Sequence, residues 1–281
     1  MHNDPFWPRA STLIGQTGRV ALLDAPLNKS ISPGNCDQAP AAIRAAMAFF
    51  SDYHYGAESA VSGFEDLGRC NELLTDLGER ASRAKAEKLL LLGGDNGVTY
   101  FGVHAMGVSL DRIAVITLDA HHDVRHLKGG RHNGNPIRAL IEDGLPGANI
   151  WQLGIQSFAN SLDYAKFSEA QGIHLVPREA IEPGRLAAEF SVALDAANKI
   201  CDLIYVDMDI DVLDRAYCPG APGARPGGVT PTELRQVAYL AGRHPKVRCM
   251  DLVELDPARD INQVTTLTAA ACVLEFAAGA L

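Results

Sequence analysis

Seven short runs of apolar residues recur along the chain, and turn-forming residues close each of them. They are RVALLDAP (19–26), KLLLLGGD (88–95), RIAVITLDAHHD (112–123), NIWQLGIQ (149–156), GIHLVP (172–177), DLIYVDMDID (202–211) and VRCMDLVELDP (247–257). Their apolar positions are nearly continuous rather than alternating. A strand of that kind is covered on both faces, as strands of a parallel sheet are. Between the runs lie stretches with helical spacing: QAPAAIRAAMAFF (38–50), TDLGERASRAKAEK (75–88), NPIRALIEDG (135–144), PGRLAAEFSVALDAANK (183–199) and TPTELRQVAYLAGRH (230–244). Strands alternating with amphipathic helices predict an α/β fold, three-layered α/β/α, around a central, mainly parallel sheet. No linker, low-complexity segment or internal repeat breaks the pattern, so residues 1–281 read as one domain.

Two long loops stand out. DAPLNKSISPGNCD (24–37) follows the first strand, and the Pro- and Gly-rich DRAYCPGAPGARPGGVTPTEL (214–234) follows the sixth. Ligands of open parallel sheets sit at the carboxyl ends of the strands. Both loops leave from that edge and are expected to wall a site there.

Composition narrows the class. Hydrophobic residues make up 47% of the chain, enough for a sizeable core, and the net charge is −9. No block of Lys and Arg offers a nucleic-acid footprint. No apolar run reaches the roughly 18 residues of a membrane span, and MHNDPFWPRAST at the start has no basic-then-apolar signal pattern. Six cysteines, none in a C-x-x-C pair, read as reduced thiols of a cytoplasmic protein.

The chemistry concentrates at strand ends. In DAHHD, the residues Asp119, His121 and Asp123 are spaced by two, and alternate residues of extended chain point the same way. In YVDMDIDVLD, Asp207, Asp209 and Asp211 alternate similarly. Carboxylates gathered at the end of a buried strand repel one another and are costly to desolvate, and a divalent cation relieves both problems. The donors are mostly oxygen, a hard set that suits Mn²⁺ better than structural zinc. A two-metal site of this kind generates hydroxide at neutral pH. Asp211 and Asp214 read instead as turn or cap residues, and His104, His126 and His174 as structural or exposed.

Taken in order, these segments resemble the ureohydrolase family of arginases, agmatinases, formiminoglutamases and related amidinohydrolases. The family's landmarks are a G-G-D-H turn, D-A-H-x-D, D-x-D-x-x-D and a glutamate before a late proline. Here they read Gly93-Gly94-Asp95-Asn96, Asp119 to Asp123, Asp207 to Asp214, and VELDP with Glu254. APAAIR (39–44) and GGVTPTEL (227–234) also look like family segments.

The resemblance implies an arginase-like fold and a manganese-dependent hydrolase of a linear amidine or guanidine C–N bond. It implies Asp119 and Asp207 as bridging ligands, and His121 and Asp209 as terminal ligands of one metal. Asp123 becomes a terminal ligand of the other metal and a proton shuttle, and Glu254 the acceptor for a cationic amidine. Asn96 holds the position of the family's first histidine ligand. An amide oxygen binds Mn²⁺ more weakly than imidazole, so of two expected sites that one is weak or empty. Asp95 braces the turn. In HNGNP, Asn133 falls where arginases carry a proton-transfer histidine, with His132 one residue earlier. Arg125 and Arg131 lie close by and could hold a substrate carboxylate in a bidentate pair.

That segment resembles formiminoglutamases more than arginases. The preferred substrate is therefore formiminoglutamate, with guanidino acids, hydroxyarginine, arginine or agmatine as alternatives. The partner is then a small molecule, neither nucleic acid nor membrane, and the resemblance implies a trimer or hexamer. Two other classes compete: a metal-poor binding or regulatory homologue, favoured by Asn96 and Asn133, and a metal-dependent phosphoryl-transfer enzyme, which lacks a phosphate-cradling motif.

Overall fold

A computed structural model describes Asp4 and residues 6–281. The first residues of the segment read above for a signal pattern lie outside the described residues. Ten strands form: β1 Val20–Ala25, β2 Tyr53–His54, β3 Ser59–Ala60, β4 Phe64–Arg69, β5 Lys88–Gly93, β6 Ile113–Leu118, β7 Ile150–Ile155, β8 His174–Pro177, β9 Leu203–Asp209 and β10 Val247–Val253. Eight of them make one sheet in the order β4-β1-β5-β10-β9-β6-β7-β8, while β2 and β3 pair as a small hairpin. Every neighbouring pair in the large sheet is parallel. All its carboxyl ends therefore lie on one edge.

Eight helices cover the sheet: α1 Ala39–Ala46, α2 Leu73–Arg83, α3 Val98–Ala105, α4 Pro136–Glu142, α5 Leu162–Ala170, α6 Leu186–Ile200, α7 Pro231–Arg243 and α8 Val264–Gly279. Two apolar clusters separate cleanly. On one face Leu90 and Leu92 of β5 pack with Ile43 of α1, Phe190 of α6, Val237 of α7 and Val273 of α8. On the other, Leu89 and Leu91 pack with Val103 of α3 and Leu140 of α4. Alternate leucines of one strand thus feed opposite cores, as the pleat requires. This is the three-layer architecture that the continuous apolar runs predicted.

The elements the sequence left out have physical reasons. β4 is an edge strand reading FEDLGR, half-exposed, with no apolar run to mark it. α8 is VTTLTAAACVLEFAAG, buried nearly all round, so it shows no polar stripe and no amphipathic period. α7 is marked most strongly at its start: Thr230 accepts from the Glu233 backbone, and the Glu233 side chain returns the bond. All six cysteines are buried and unpaired. Among the described residues no helix is long and apolar enough to cross a membrane.

Candidate metal centre

Neighbouring strands β6 and β9 end side by side, with Leu118 opposite Met208. The next residue on each is an aspartate, and the two build the same local turn. Asp119 accepts the His121 N–H at 2.6 Å, and Asp209 accepts the Asp211 N–H at 2.8 Å. A carboxylate that bonds the backbone two residues on reverses the chain at once. Each turn swings the following side chain toward the other: His121 Nδ1 lies 2.9 Å from Asp211 Oδ2 and 3.4 Å from Asp119 Oδ1. Donor atoms of Asp119, His121 and Asp211 all fall within 4.8 Å of one another, a spacing that one cation could span.

Asp123 and Asn96 close the other side. Asn96 follows β5, where Gly94 lets the chain pass against Leu27: a Cβ at Gly94 would meet the Leu27 carbonyl oxygen at 1.8 Å. Asp95 accepts the N–H groups of Gly97 and Lys29, tying this turn to the loop after β1. The Asn96 amide nitrogen then lies 2.5 Å from Asp123 Oδ2 and 3.4 Å from Asp119 Oδ2.

Asp123, Asp209, Asp211 and His121 line a cavity of about 160 Å³. Its walls are the two loops expected there, with Ser30, Ile31 and Ser32 from one and Pro222, Gly223 and Arg225 from the other. Glu254, just past β10, lines it too and accepts the Asn96 N–H at 2.9 Å and the Asn133 amide at 3.0 Å. Asn133 holds the loop as well, accepting the Ile31 N–H at 2.9 Å. Asp123 and Glu254 both carry left-handed backbone, at φ 52° and 64°. Non-glycine residues adopt that region at a cost that clusters at functional sites.

The electrostatics describe a buried anionic cluster. Burial, then the Asp211 carboxylate, pushes Asp119 up to about 7. Burial and neighbouring carboxylates also raise Asp123 and Asp209 well above the usual carboxylate range. Burial raises Glu254 to about 8. Burial acts on Asp211 too, but His121 outweighs it and holds Asp211 below the usual range, while Asp211 in turn lifts His121 to about 12. One imidazolium, His121, is pressed among these carboxyls, and a divalent ion suits the oxygen-rich set.

Several expected residues lie elsewhere. Asp207 is not at the cavity. It sits inside β9, opposite Thr117 on one side and Asp251 on the other, with neither carboxyl oxygen meeting a donor among the described residues. Burial, then Asp251, raises it well above the usual carboxylate range, and it lies beneath the cluster. Asp211, read as a turn residue, occupies the cluster instead. Asp207 lies two residues inside the strand, and only Asp209 at its last position and Asp211 beyond it reach the edge. Asp214 does brace a turn, accepting the N–H groups of Ala216 and Gly227.

Arg125 lines the cavity, but Arg131 turns away and lays its guanidinium over the Tyr100 ring at 4.2 Å. His132 does not line the cavity either, and its Nδ1 accepts the Gly134 N–H. Arg225 was missed although it sits in the wall; only its place in a loop leaving the carboxyl edge could have marked it.

The sequence signature of the arginase family matches residues 18–279. A formimidoylglutamase of Halalkalibacterium halodurans is 36% identical over 99% of this chain and 95% of its own length. The crystal structure of formimidoylglutamase from Bacillus subtilis superposes with a TM-score of 0.91 at 29% identity, covering 100% of this chain and 94% of that one. A Trypanosoma cruzi formiminoglutamase solved with two Mn²⁺ shares the fold, with a TM-score of 0.84 at 21% identity over 97% of this chain and 98% of its own.

Proposed function

Because the chain belongs to the arginase family, we propose that it is a manganese-dependent hydrolase of a linear amidine C–N bond that converts formiminoglutamate to glutamate and formamide. The observation that carries this reading is the convergence of Asp119, His121 and Asp211 donors at the floor of a cavity walled by Glu254, Arg125 and Arg225. The similar formimidoylglutamases, matched over nearly the whole chain, support the substrate.

Asp119, His121 and Asp211, whose donor atoms converge, would hold one metal, and Asp123, Asp209 and Asn96 beside them would supply the donors of a second. Asp209 and Asp211 thereby take the places the sequence pattern gave to Asp207 and Asp209. The donor set is oxygen-rich with a single imidazole, as manganese prefers. When bound, manganese supplies Lewis acidity, which ionises water near neutral pH and stabilises negative charge on oxygen.

The chain's own groups do the rest. Glu254 faces the cavity as a carboxylate once a cationic amidine is present, and it orients the reacting carbon. The Asn96 N–H and the Asn133 amide hold that carboxyl in place. Water's oxygen adds to the amidine carbon, the bond to the glutamate nitrogen breaks, and that nitrogen takes a proton. Asp123, raised by burial among its neighbours, is suited to receive and return that proton. Arg125 and Arg225 line the cavity, two cationic residues for the two carboxylates of a glutamate derivative. The same reading takes the protein as cytoplasmic and as a homo-oligomer, which light scattering on the purified chain checks.

A substrate screen tests the proposal. Protein loaded with Mn²⁺ is offered formiminoglutamate, arginine, hydroxyarginine, agmatine and short guanidino acids, and formamide, urea and ammonia are measured. Formamide from formiminoglutamate, at a kcat/KM well above any urea release, is the expected result. Urea as the main product would move the substrate to a guanidine, and bound Mn²⁺ with no turnover would leave a binding protein.

A further inference from the structure

Asn96 is almost fully buried, and its amide lies between two sets of partners. One end faces the carboxylates of Asp123 and Asp119, and the other lies 2.8 Å from Thr99 Oγ1. In the structure the nitrogen faces the carboxylates and the oxygen faces Thr99. The two ends exchange by a half-turn of the last torsion, so the surrounding donors and acceptors decide which way the amide sits.

Thr99 can answer either end of the amide. Its hydroxyl carries one proton and also lies 3.0 Å from Asp251 Oδ2. Asp251 is fully buried beneath the cluster, where it accepts the Tyr205 hydroxyl at 2.6 Å and the Met208 N–H at 3.1 Å. With the amide oxygen toward Thr99, the hydroxyl proton goes to that oxygen, and Asp251 Oδ2 keeps the Tyr205 proton. With the amide turned, its nitrogen donates to Thr99 Oγ1 and Thr99 donates to Asp251 Oδ2, so the hydroxyl serves as acceptor and donor at once. The amide oxygen then points at Asp119 and Asp123, an arrangement of oxygens that only a cation makes favourable.

We infer that Thr99, anchored by Asp251, is a positioning residue that holds the Asn96 amide with its oxygen toward the metal cluster, and so makes Asn96 a ligand. The inference rests on the metal reading above and adds the residue that sets the strength of its weaker site. Nitrogen-first, the amide quiets the carboxylates of the metal-free protein. Oxygen-first, it completes a metal site and satisfies the buried chain Asn96–Thr99–Asp251. Neither Thr99 nor Asp251 touches the metal or the cavity.

The test is a Mn²⁺ titration of the full chain, following free Mn²⁺ by its EPR signal, for wild type, Thr99→Val, Thr99→Ser and Asp251→Asn. Valine keeps the shape of threonine and removes the hydroxyl; serine keeps the hydroxyl. Removing a group that orients a ligand costs about 10–100-fold in metal affinity. Thr99→Val and Asp251→Asn are therefore expected to weaken one Mn²⁺ site at least tenfold and leave the other unchanged, and Thr99→Ser is expected to restore it. Melting temperatures show whether the valine variant is folded, and Asp251→Asn carries the test if it is not. Unchanged affinities in Thr99→Val, or equal losses at both sites with no rescue by serine, would overturn the inference while leaving the metal reading intact. A wild-type chain that binds no Mn²⁺ would overturn both.

Discussion

Gly223 packs against the centre from the loop that walls it. A Cβ built there would lie 2.0 Å from Asp211 Oδ2, 3.0 Å from its Cγ and 3.1 Å from His121 Cε1. Non-bonded carbon and oxygen do not approach within about 3 Å, so Gly223→Ala forces a displacement of about 1 Å. The carboxylate has little freedom to yield. Asp211 is 2% exposed, bonded to the Ala120 N–H at 3.2 Å and paired with His121. Either the loop lifts or the ligand moves. Overpacking of this kind costs about 1–3 kcal/mol of stability. A ligand misplaced by about 1 Å costs on the order of 100-fold in rate. Differential scanning fluorimetry reads the first effect, and Mn²⁺ titration with kcat/KM for formiminoglutamate reads the second. A Gly223→Ala protein with wild-type metal affinity and turnover would refute the reasoning, because the loop would then be free to move without disturbing Asp211.

Three further outcomes are expected. Asp209→Ala or Asp211→Ala should abolish tight Mn²⁺ binding, whereas Asp207→Asn, being neutral and beneath the cluster, should keep it; the reverse pattern in a metal titration would reinstate Asp207 as a ligand. Arg225→Ala and Arg125→Ala should each raise KM for formiminoglutamate about tenfold or more, as expected for a lost charge-assisted pair of roughly 1.5–3 kcal/mol, and steady-state kinetics with a substrate lacking the remote carboxylate should show no such rise for one of them. Finally, metal-free protein should lose thermal stability as pH rises from 5 to 8. Asp119 and Glu254 keep protons up to about 7 and 8 that the unfolded chain releases near 4. His121, raised to about 12, also binds its proton more tightly when folded, so its contribution falls with pH above about 6.5. Within the cluster the folded state thus binds more protons throughout the window, which makes its share of the slope negative; burial lowers His122, His132 and His244, which act in the opposite sense below about 6.5. Asp211 acts in the opposite sense only below the ordinary carboxylate range. A melting temperature that is flat or rising with pH in the presence of chelator would contradict the cluster.

Much of this architecture was legible because strands buried on both faces write themselves as unbroken apolar runs. Seven of the eight sheet strands did so. β4 did not, since an edge strand needs only one partner and tolerates Glu65, Asp66 and Arg69. At the site, the clustering of DAHHD was readable because its candidate ligands follow directly on a strand end. The second aspartate series was not, because period-two alternation tells which face a residue takes and not how deep along the strand it lies. Asp207, Asp209 and Asp211 satisfy the same pattern. What separates them is the register of β9 against β6, which aligns Asp209 with Asp119 and leaves Asp207 opposite Thr117. Thr99 and Asp251 were invisible for a different reason: their roles exist only through partners 152 residues apart in the chain.

The left-handed backbone at Asp123 and Glu254 bears on how this protein can evolve. At both positions glycine would adopt the observed φ without strain, and it would also remove a carboxyl whose charge the fold resists. For the metal-free chain, loss of function at these two codons is therefore a route to a sturdier fold. A selection for thermal stability alone would enrich such inert variants, and only a selection that also demands turnover would retain the acidic residues. At these two positions the folding free energy and the proposed reaction therefore favour different residues.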